Sequence, residues 1–178
     1  METPFSKFCK DNLKEDLVGV EIGVFAGINA CYLLEGLPIK RLYLVDNYRP
    51  YWDSGTQYYT QDQMEQHYEM MFHAIDQYFD KTMVIRQDSL WATNLFPDGY
   101  FDFVYIDAGH TYGEVMSDMN LWWPKVKAGG VFGGHDYGTI NGREVKHAVN
   151  DFLEAHGLQQ DPAIGLRVGE AMEWAIIK

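Results

Sequence analysis

Acidic side chains stand directly after apolar runs in two stretches of the chain. The stretch FDFVYIDAGHTY carries Asp107 at the end of its apolar run and His110 three residues later. The stretch GGVFGGHD ends on His135 and Asp136. Neighbouring strands lie about 4.8 Å apart, so Asp107 and Asp136 could reach one cation if each ended a strand. Two hard oxygen ligands suit Mg²⁺, Mn²⁺ or Ca²⁺, and a histidine beside them could transfer a proton.

A second set of candidates lies nearer the N-terminus. The stretch VEIGVFAG places Glu21, Gly23 and Gly27 between an apolar run and a helical pattern. Glycines there permit a tight turn and a close approach of a ligand to the backbone. The dinucleotide motif G-x-G-x-x-G is absent, because VFA fills the loop, and a carboxylate suits a cationic ligand better than a diphosphate. An ordinary turn that needs glycine only for its geometry is the alternative.

Two further apolar runs also end in aspartate. Asp46 follows RLYLV and is placed to accept hydrogen bonds from a ribose diol, although it could instead cap a loop. Asp88 and Ser89 follow TMVIRQ and could hold an adenine amino group, although Asp-Ser is also a common helix N-cap.

Hydrophobic patterning predicts the elements that must position these residues. Buried strands are predicted at 17–24, 41–46, 82–87, 101–107, 129–136 and 173–178. Helices are predicted at 4–14 and 28–37, and helical stripes at 64–79, 112–122 and 145–153. Asn29 is predicted to cap the second helix, and Asp62 with Glu65 to form a capping box for the third. Because strand and helix alternate, the sequence predicts an α/β fold with a mostly parallel sheet, whose carboxyl strand ends form the site.

Composition narrows the classes of function. The 178 residues suit one domain over 1–178, and 26 acidic against 14 basic residues give a net charge of −12. With no basic patch, this charge argues against nucleic acid as a partner. No apolar run is long enough to span a membrane, and the N-terminus lacks a signal-peptide pattern. Two cysteines without metal-type spacing are expected to be free thiols, and the expectation is a soluble cytoplasmic protein.

Taken in order, these motifs resemble those of class I S-adenosylmethionine-dependent methyltransferases. They comprise E-x-G-x-x-x-G, V-D, D-S, DFVYIDAGHTY and WWPKVKAGGVFGGHDY. The likeness is strongest to the short bacterial branch that resembles macrolide-sugar O-methyltransferases, and it covers roughly residues 15–156. It implies a Rossmann-like doubly wound sheet of about seven strands, with the last strand antiparallel and helices on both faces. It also implies methyl transfer from S-adenosylmethionine to a small hydroxylated acceptor.

The resemblance assigns roles to particular residues. Expected cofactor-binding residues are Glu21, Gly23, Val24, Phe25, Gly27, Asn29, Asp46, Asn47, Asp88, Ser89 and Asp107. Expected metal ligands for Mg²⁺ or Mn²⁺ are Asp107, Asp136 and His135. The catalytic residues are expected to be His110 as the base, with Asp107 and His135. The chain departs from the family pattern at Gly109, where many relatives have Asp, and at His135, where the better-known metal enzymes have a carboxylate; both changes remove negative charge.

The region between Asp46 and the third helix is predicted to be a loop over 47–61. Its aromatic residues could close over cofactor and acceptor as a lid, or pack on the neighbouring helix. Only about 16 residues precede the first strand, so a second copy of the chain could supply the missing wall of an acceptor pocket. Two alternatives remain open, namely a cofactor-binding module without an acceptor site and a nicotinamide-dependent oxidoreductase.

Overall fold

The computed structural model describes residues 2–53, 57–138, 143–158, 163–166 and 172–178. Its strands are β1 (Leu17–Ile22), β2 (Ile39–Val45), β3 (Tyr51–Asp53), β4 (Gln57–Tyr59), β5 (Thr82–Ile85), β6 (Phe101–Ile106), β7 (Val126–Gly134), β8 (Ala163–Leu166) and β9 (Met172–Ile177). Its α-helices are α1 (Pro4–Asn12), α2 (Ile28–Gly36), α3 (Gln61–Ile75), α4 (Ser89–Ala92), α5 (Tyr112–Trp122) and α6 (Arg143–Ala155). None of the helices in these ranges combines the length and the apolar character that a bilayer crossing requires.

Seven strands form one twisted sheet in the order β5-β2-β1-β6-β7-β9-β8. Strands β5, β2, β1, β6 and β7 pair in parallel, whereas β9 is antiparallel to both β7 and β8. The predicted Rossmann-like sheet of about seven strands with an antiparallel last strand is therefore confirmed. The strand order reverses between β1 and β6, and in such sheets ligands bind beyond the carboxyl ends of the strands at this point.

Helices cover both faces of the sheet and bury two apolar cores. The core on one face includes buried residues from α1, α2 and α3, namely Phe5, Leu33 and Met71. The core on the other face includes buried residues from α4, α5 and α6, namely Ala92, Trp122 and Phe152. Because strands β1 and β6 are covered on both sides, their carboxyl ends are held in fixed positions at the centre of the sheet.

The predicted strands are confirmed, with ends that shift by a few residues. Strand β1 ends at Ile22 and β6 at Ile106, so Asp107 is the first residue beyond its strand. Strand β7 begins at Val126 and ends at Gly134, which leaves Asp136 in the segment that follows. Strand β8 was not predicted from the sequence.

The predicted loop over 47–61 is wrong in its central part. Strands β3 and β4 form an antiparallel hairpin in which Tyr51 pairs with Tyr59 and Trp52 with Tyr58. The rings of Tyr51 and Tyr59 stack with centroids 5.2 Å apart. Aromatic cross-strand pairs of this kind stabilise short strands, and their contribution outweighs the loop signal of the flanking residues.

The two predicted helix caps are also wrong. Helix α3 begins with a capping box formed by Thr60 and Gln63, two residues before the predicted pair of Asp62 and Glu65. The hydroxyl of Thr60 accepts from the Gln63 backbone N–H, and the Gln63 side chain accepts from the Thr60 backbone N–H. Helix α2 has Gly27 rather than Asn29 at its N-cap, without a side-chain cap.

Candidate active site

The turn after β1 brings two strand ends into direct contact. Gly23 has a φ of 82°, a conformation that favours glycine. A Cβ atom at this position would lie 2.1 Å from the carbonyl oxygen of Asp107. The Asp107 N–H donates to the Ile22 carbonyl at 2.7 Å. Only glycine lets the segments after β1 and β6 approach so closely, and this approach places Asp107 beside the turn.

Glu21 lies beneath this turn and is almost fully buried, with 1% of its surface exposed. Its Oε1 atom accepts a hydrogen bond of 3.1 Å from the Asn29 side-chain amide. The short polar side chain of Asn29 therefore holds Glu21 rather than capping α2. Gly27, with a φ of 79°, lets the chain enter α2 at the required angle.

Asp46 accepts hydrogen bonds from three backbone N–H groups at the end of β2. Its Oδ2 atom accepts from the N–H groups of Val24 and Phe25 at 2.9 and 3.0 Å, and its Oδ1 atom accepts from the N–H of Tyr48 at 2.8 Å. Phe25 and Tyr48 both have positive φ values, of 51° and 49°. Asp46 thus stabilises two strained turns, which is the loop-capping role that the sequence left open; its contact with a ribose stays a prediction.

A cleft of about 420 Å³ lies beyond the carboxyl ends of β1, β2, β5 and β6. Seven of the predicted cofactor residues line it, namely Gly23, Phe25, Asp46, Asn47, Asp88, Ser89 and Asp107. The other four predicted residues are absent from its lining, namely Glu21, Val24, Gly27 and Asn29. The lining also carries Glu114 and Asp118, with Arg49 as its basic residue. The cleft is therefore acidic and has a volume typical of small-molecule sites.

Asp118 is a cleft residue that the sequence did not single out. It lies on α5 with 4% of its surface exposed, and Ser89 Oγ donates to its Oδ1 atom at 2.5 Å. Burial raises the pKa of Asp118 to about 6, with nearby Asp88 and Glu114 adding to the rise and the Ser89 hydrogen bond opposing it. Asp88 itself caps α4 by accepting from the Leu90 N–H at 3.0 Å, as the N-cap alternative predicted. The signal for Asp118 was its spacing of four residues from Glu114 on one helix face.

His110 lies between carboxylates from three segments of the chain. Its Nε2 atom is 3.1 Å from Asp136 Oδ2 and 3.7 Å from Asp107 Oδ1, and its Nδ1 atom is 3.7 Å from Asp53 Oδ1. Burial lowers the pKa of His110, but Asp107 and Asp136 outweigh burial and raise the pKa to about 10. Helix α5 begins at Tyr112, capped by Thr111, so His110 stands one residue before the cap and faces the strand ends.

His135 and Asp136 approach the same point from the end of β7. The Nδ1 atom of His135 lies 3.1 Å from Asp136 Oδ2 and 3.8 Å from Asp107 Oδ1. Burial would raise the pKa of Asp136, but His110 and His135 outweigh it and hold this pKa well below its usual range. Asp136 also has a φ of 60°, a left-handed conformation that clusters at functional sites.

The donor atoms of this cluster fit a divalent cation. One ligand atom from each of Asp107, His110 and Asp136 lies within 4.8 Å of the other two. Carboxylate oxygens suit Mg²⁺, and a set that includes imidazole suits Mn²⁺ as well. The predicted pair of Asp107 and Asp136 is therefore brought together, and His110 joins it more closely than the sequence indicated. The ligand role of His135 stays a prediction.

Comparison with known proteins places the chain among methyltransferases. The model of a family described as "Methyltransferase domain" matches residues 20–137. Among curated proteins, no sequence matches the chain.

Solved methyltransferase structures share the fold. The O-methyltransferase NovP has a TM-score of 0.67 and 18% identity, over 98% of this chain and 77% of that one. An rRNA methylase from Streptococcus thermophilus has a TM-score of 0.66 and 16% identity, over 100% and 98% of the two chains. Precorrin-6y C5,15-methyltransferase from Geobacter metallireducens has a TM-score of 0.65 and 15% identity, over 96% and 85%. At these identities the likeness concerns the fold alone.

Proposed function

Because the chain belongs to the methyltransferase domain family, we propose that it transfers the methyl group of S-adenosylmethionine to a hydroxyl of a small acceptor, such as a sugar or a secondary metabolite. One observation carries this proposal. An acidic cleft of cofactor size ends at a cluster of two carboxylates and two histidines, formed by Asp107, Asp136, His110 and His135.

The charge of the cleft supports S-adenosylmethionine over a dinucleotide. The cofactor carries a positive sulfonium and an amino group, and its ribose offers hydroxyl donors to carboxylates such as Asp46. A diphosphate would instead meet the negative charges of Asp46, Asp88, Asp107, Glu114 and Asp118. Calorimetric titration with S-adenosylmethionine and with NAD tests this choice. We expect binding of S-adenosylmethionine only, and tighter binding of NAD would reject the cofactor assignment.

The cluster at the end of the cleft supports metal-assisted transfer to oxygen. Asp107 and Asp136 would hold the cation through their carboxylate oxygens. A divalent cation held there would lower the pKa of a bound hydroxyl and would orient its oxygen toward the methyl group. His110 accepts the hydroxyl proton at Nε2, the ring nitrogen that faces the carboxylate pair. His135, whose Nδ1 atom faces the same pair, is the alternative base or a further ligand.

The proton on His110 and the cation are linked by charge. The two carboxylates that raise the pKa of His110 are the ones that would neutralise the cation. Cation binding therefore favours loss of the His110 proton, because the same negative charge cannot fully stabilise both. With a cation held by these carboxylates, His110 would be neutral and able to accept the proton of an acceptor hydroxyl at Nε2.

The acceptor is proposed to be small and uncharged or cationic, rather than nucleic acid. The similar protein from Streptococcus thermophilus is described as an rRNA methylase. In this chain, however, the net charge of −12 and the acidic lining oppose a phosphate backbone. Methylation of ribosomal RNA by this chain at physiological salt would contradict the proposed acceptor class.

An assay of S-adenosylhomocysteine formation tests the proposal. The chain is incubated with S-adenosylmethionine and a panel of sugars, catechols and hydroxylated metabolites, with Mg²⁺, with Mn²⁺ or with excess chelator. We expect product that depends on both acceptor and metal. Full activity in chelator would reject the metal, and cofactor binding without product for any acceptor would favour a binding module that lacks its own acceptor site.

A pair of variants makes this assay specific to the site. Asp107→Ala should abolish metal-dependent product formation while it leaves most of the cofactor affinity, because Asp107 is one of many residues that line the cleft. Asp80→Ala removes an exposed carboxylate from the turn after α3 and should leave both properties unchanged. Equal activity of Asp107→Ala and Asp80→Ala would show that Asp107 takes no part in the reaction.

A further inference from the structure

The hairpin of β3 and β4 presents one of its faces to the cleft. Tyr51, Asp53 and Tyr59 share this face, because Tyr51 pairs with Tyr59 and side chains alternate along a strand. Tyr51 lines the cleft, and the ring of Tyr59 packs edge-on against Phe25 with centroids 5.3 Å apart. The hairpin is thereby attached to the turn after β1 and covers part of the cofactor cleft.

Asp53, at the end of β3, extends this cover to the catalytic cluster. Its Oδ1 atom lies 3.7 Å from Nδ1 of His110, on the side of the ring opposite to Asp107 and Asp136. The side chains of His110 and Asp53 are 25% and 37% exposed, so the pair is partly shielded from water. His110 thus has a carboxylate near each of its two ring nitrogens.

The proposed roles of His110 require a particular arrangement of its protons. Whether Nε2 accepts a proton or binds a cation, its lone pair must be free and must point between Asp107 and Asp136. The ring proton then resides on Nδ1, and the hydrogen bond that Nδ1 donates decides the orientation of the ring. Asp53 is the carboxylate that faces Nδ1.

We propose that Asp53 is a positioning residue that accepts a hydrogen bond from Nδ1–H of His110 and so aims Nε2 into the pocket between Asp107 and Asp136. This inference rests on the proposed function of His110. The distance of 3.7 Å is about 1 Å longer than an N–H···O hydrogen bond, so the hairpin or the ring shifts by that amount as the bond forms. Because Tyr51 of the same hairpin lines the cleft, S-adenosylmethionine in the cleft would contact the hairpin, and we assign the closing of this bond to that contact.

Nuclear magnetic resonance of the histidine rings tests this coupling. A ring N–H that donates to a carboxylate exchanges slowly with water and gives a separate proton signal in ¹⁵N-histidine-labelled protein. We expect such a signal from Nδ1–H of His110 when S-adenosylmethionine is added, assigned to His110 by its loss in His110→Gln and to Nδ1 rather than Nε2 by the ¹⁵N correlations with the carbon-bound ring protons. Asp53→Ala should lose the signal, whereas Asp53→Asn should keep it, because the amide oxygen still accepts. Asp62→Asn removes an exposed carboxylate from α3 and should keep the signal.

A signal that is absent from the parent protein with S-adenosylmethionine, or that persists in Asp53→Ala, would overturn the inference. Binding of Mn²⁺, followed by electron paramagnetic resonance of the free ion, separates this outcome from failure of the proposed function. Because Asp107 and Asp136 are proposed to hold the cation and His110 to be the base, we expect the Mn²⁺ affinity of both Asp53→Ala and Asp62→Asn to stay within a fewfold of the parent. A loss of tenfold or more for Asp53→Ala would show that Asp53 acts on the cation rather than on the His110 ring, and would overturn the inference. A parent that binds no Mn²⁺ would reject the proposed cation, while the ring signal would still decide the role of Asp53.

Discussion

The two ends of the cleft are built in different ways. The half proposed to bind the cofactor consists of the turn after β1, residues 23–27, and Asp46. The half proposed to bind the acceptor consists of Asp107, His110, His135 and Asp136. In the cofactor half, one carboxylate is fixed by three backbone amides, so its geometry is part of the loop structure. In the acceptor half, the two histidines approach the two carboxylates closely enough to share charge with them.

This difference predicts separate consequences for substitutions in the two halves. A change in the cofactor half should alter the loop and the affinity for S-adenosylmethionine together, because the same groups serve both. A change in the acceptor half should alter chemistry and metal binding, while the cofactor cleft keeps its shape. The predictions below either separate the two halves in this way or show that they act as one.

The largest effect is expected for His110→Ala. Loss of a positioned general base reduces the rate by about 10²–10⁴-fold, and the loss should shrink at high pH, where hydroxide can replace the base. Affinity for S-adenosylmethionine, measured by calorimetry, should stay within a fewfold of the parent. His73→Ala, an exposed histidine on α3, is the matched control and should keep the full rate.

Two results would revise this role of His110. A full rate at neutral pH in His110→Ala would assign the proton transfer to another group, and His135 is the next candidate. A loss of Mn²⁺ affinity of tenfold or more would make His110 a ligand of the cation rather than the base. Cofactor affinity that falls in parallel with rate would show that the halves are not separate.

A smaller effect, in the other half, is expected for Asp46→Ala. A hydrogen bond to a charged acceptor contributes about 1.5–3 kcal/mol, so the loss of one ribose hydrogen bond should weaken the binding of S-adenosylmethionine by roughly 10–100-fold, and the loss of two by more. The amides of Val24, Phe25 and Tyr48 also lose their partner, so the midpoint of thermal unfolding should fall by a few degrees while the domain still folds. Asp76→Ala, an exposed carboxylate, is the control. If Asp46→Ala binds S-adenosylmethionine as tightly as the parent does, Asp46 only stabilises the loop and does not bind the cofactor.

A third effect, on stability rather than on activity or binding, concerns Asp118 on the wall of the cleft. Its pKa rises from 3.8 to about 6 on folding, so between these pH values the folded state binds more protons than the unfolded state. Stability is therefore lost as pH rises from about 4 to about 6, and the loss reaches about 3 kcal/mol above that range. Asp118→Asn removes the charge. The free energy of unfolding of the variant minus that of the parent should therefore be larger at pH 8 than at pH 4, by up to about 3 kcal/mol.

Denaturant unfolding of both proteins at pH 4 and pH 8 measures this change. In Asp118→Asn the side-chain amide oxygen can still accept from the Ser89 hydroxyl, which keeps the present hydrogen bond. A stability difference that does not vary with pH would show that Asp118 has an ordinary pKa.

The positions of several residues at the strand ends could be predicted from the sequence. Glu21, Asp46 and Asp107 stand at the ends of apolar strands, and the parallel sheet brings those ends to one edge. Gly23 was recognisable because a turn between strand and helix often needs a positive φ. These residues are set by local pattern and by the topology that the pattern implies.

The parts that were missed depend on tertiary contacts. Asparagine is a common helix-capping residue, but the side-chain amide of Asn29 donates to the buried Glu21 instead. Asp53 lies on an aromatic hairpin that resembles a loop in sequence, and only the folded hairpin brings it to His110. In the sequence Asp118 does not differ from other polar residues of a helix, and only the fold brings Ser89 next to it. In each case the partner is more than seven residues away, so no local pattern reveals the pairing.

Binding measurements on Asp136→Asn test whether the end of the cleft formed by Asp107, His110, His135 and Asp136 holds a cation independently of the cofactor. Asp136 has a φ of 60°, which asparagine also tolerates, and it is absent from the lining of the cofactor cleft. We expect the parent protein to bind both Mn²⁺ and S-adenosylmethionine. We expect Asp136→Asn to lose at least tenfold in Mn²⁺ affinity, while its affinity for S-adenosylmethionine changes by no more than about threefold. A parent without Mn²⁺ binding, or a variant that binds Mn²⁺ as the parent does, would contradict the claim that this end of the cleft is a metal-assisted acceptor site.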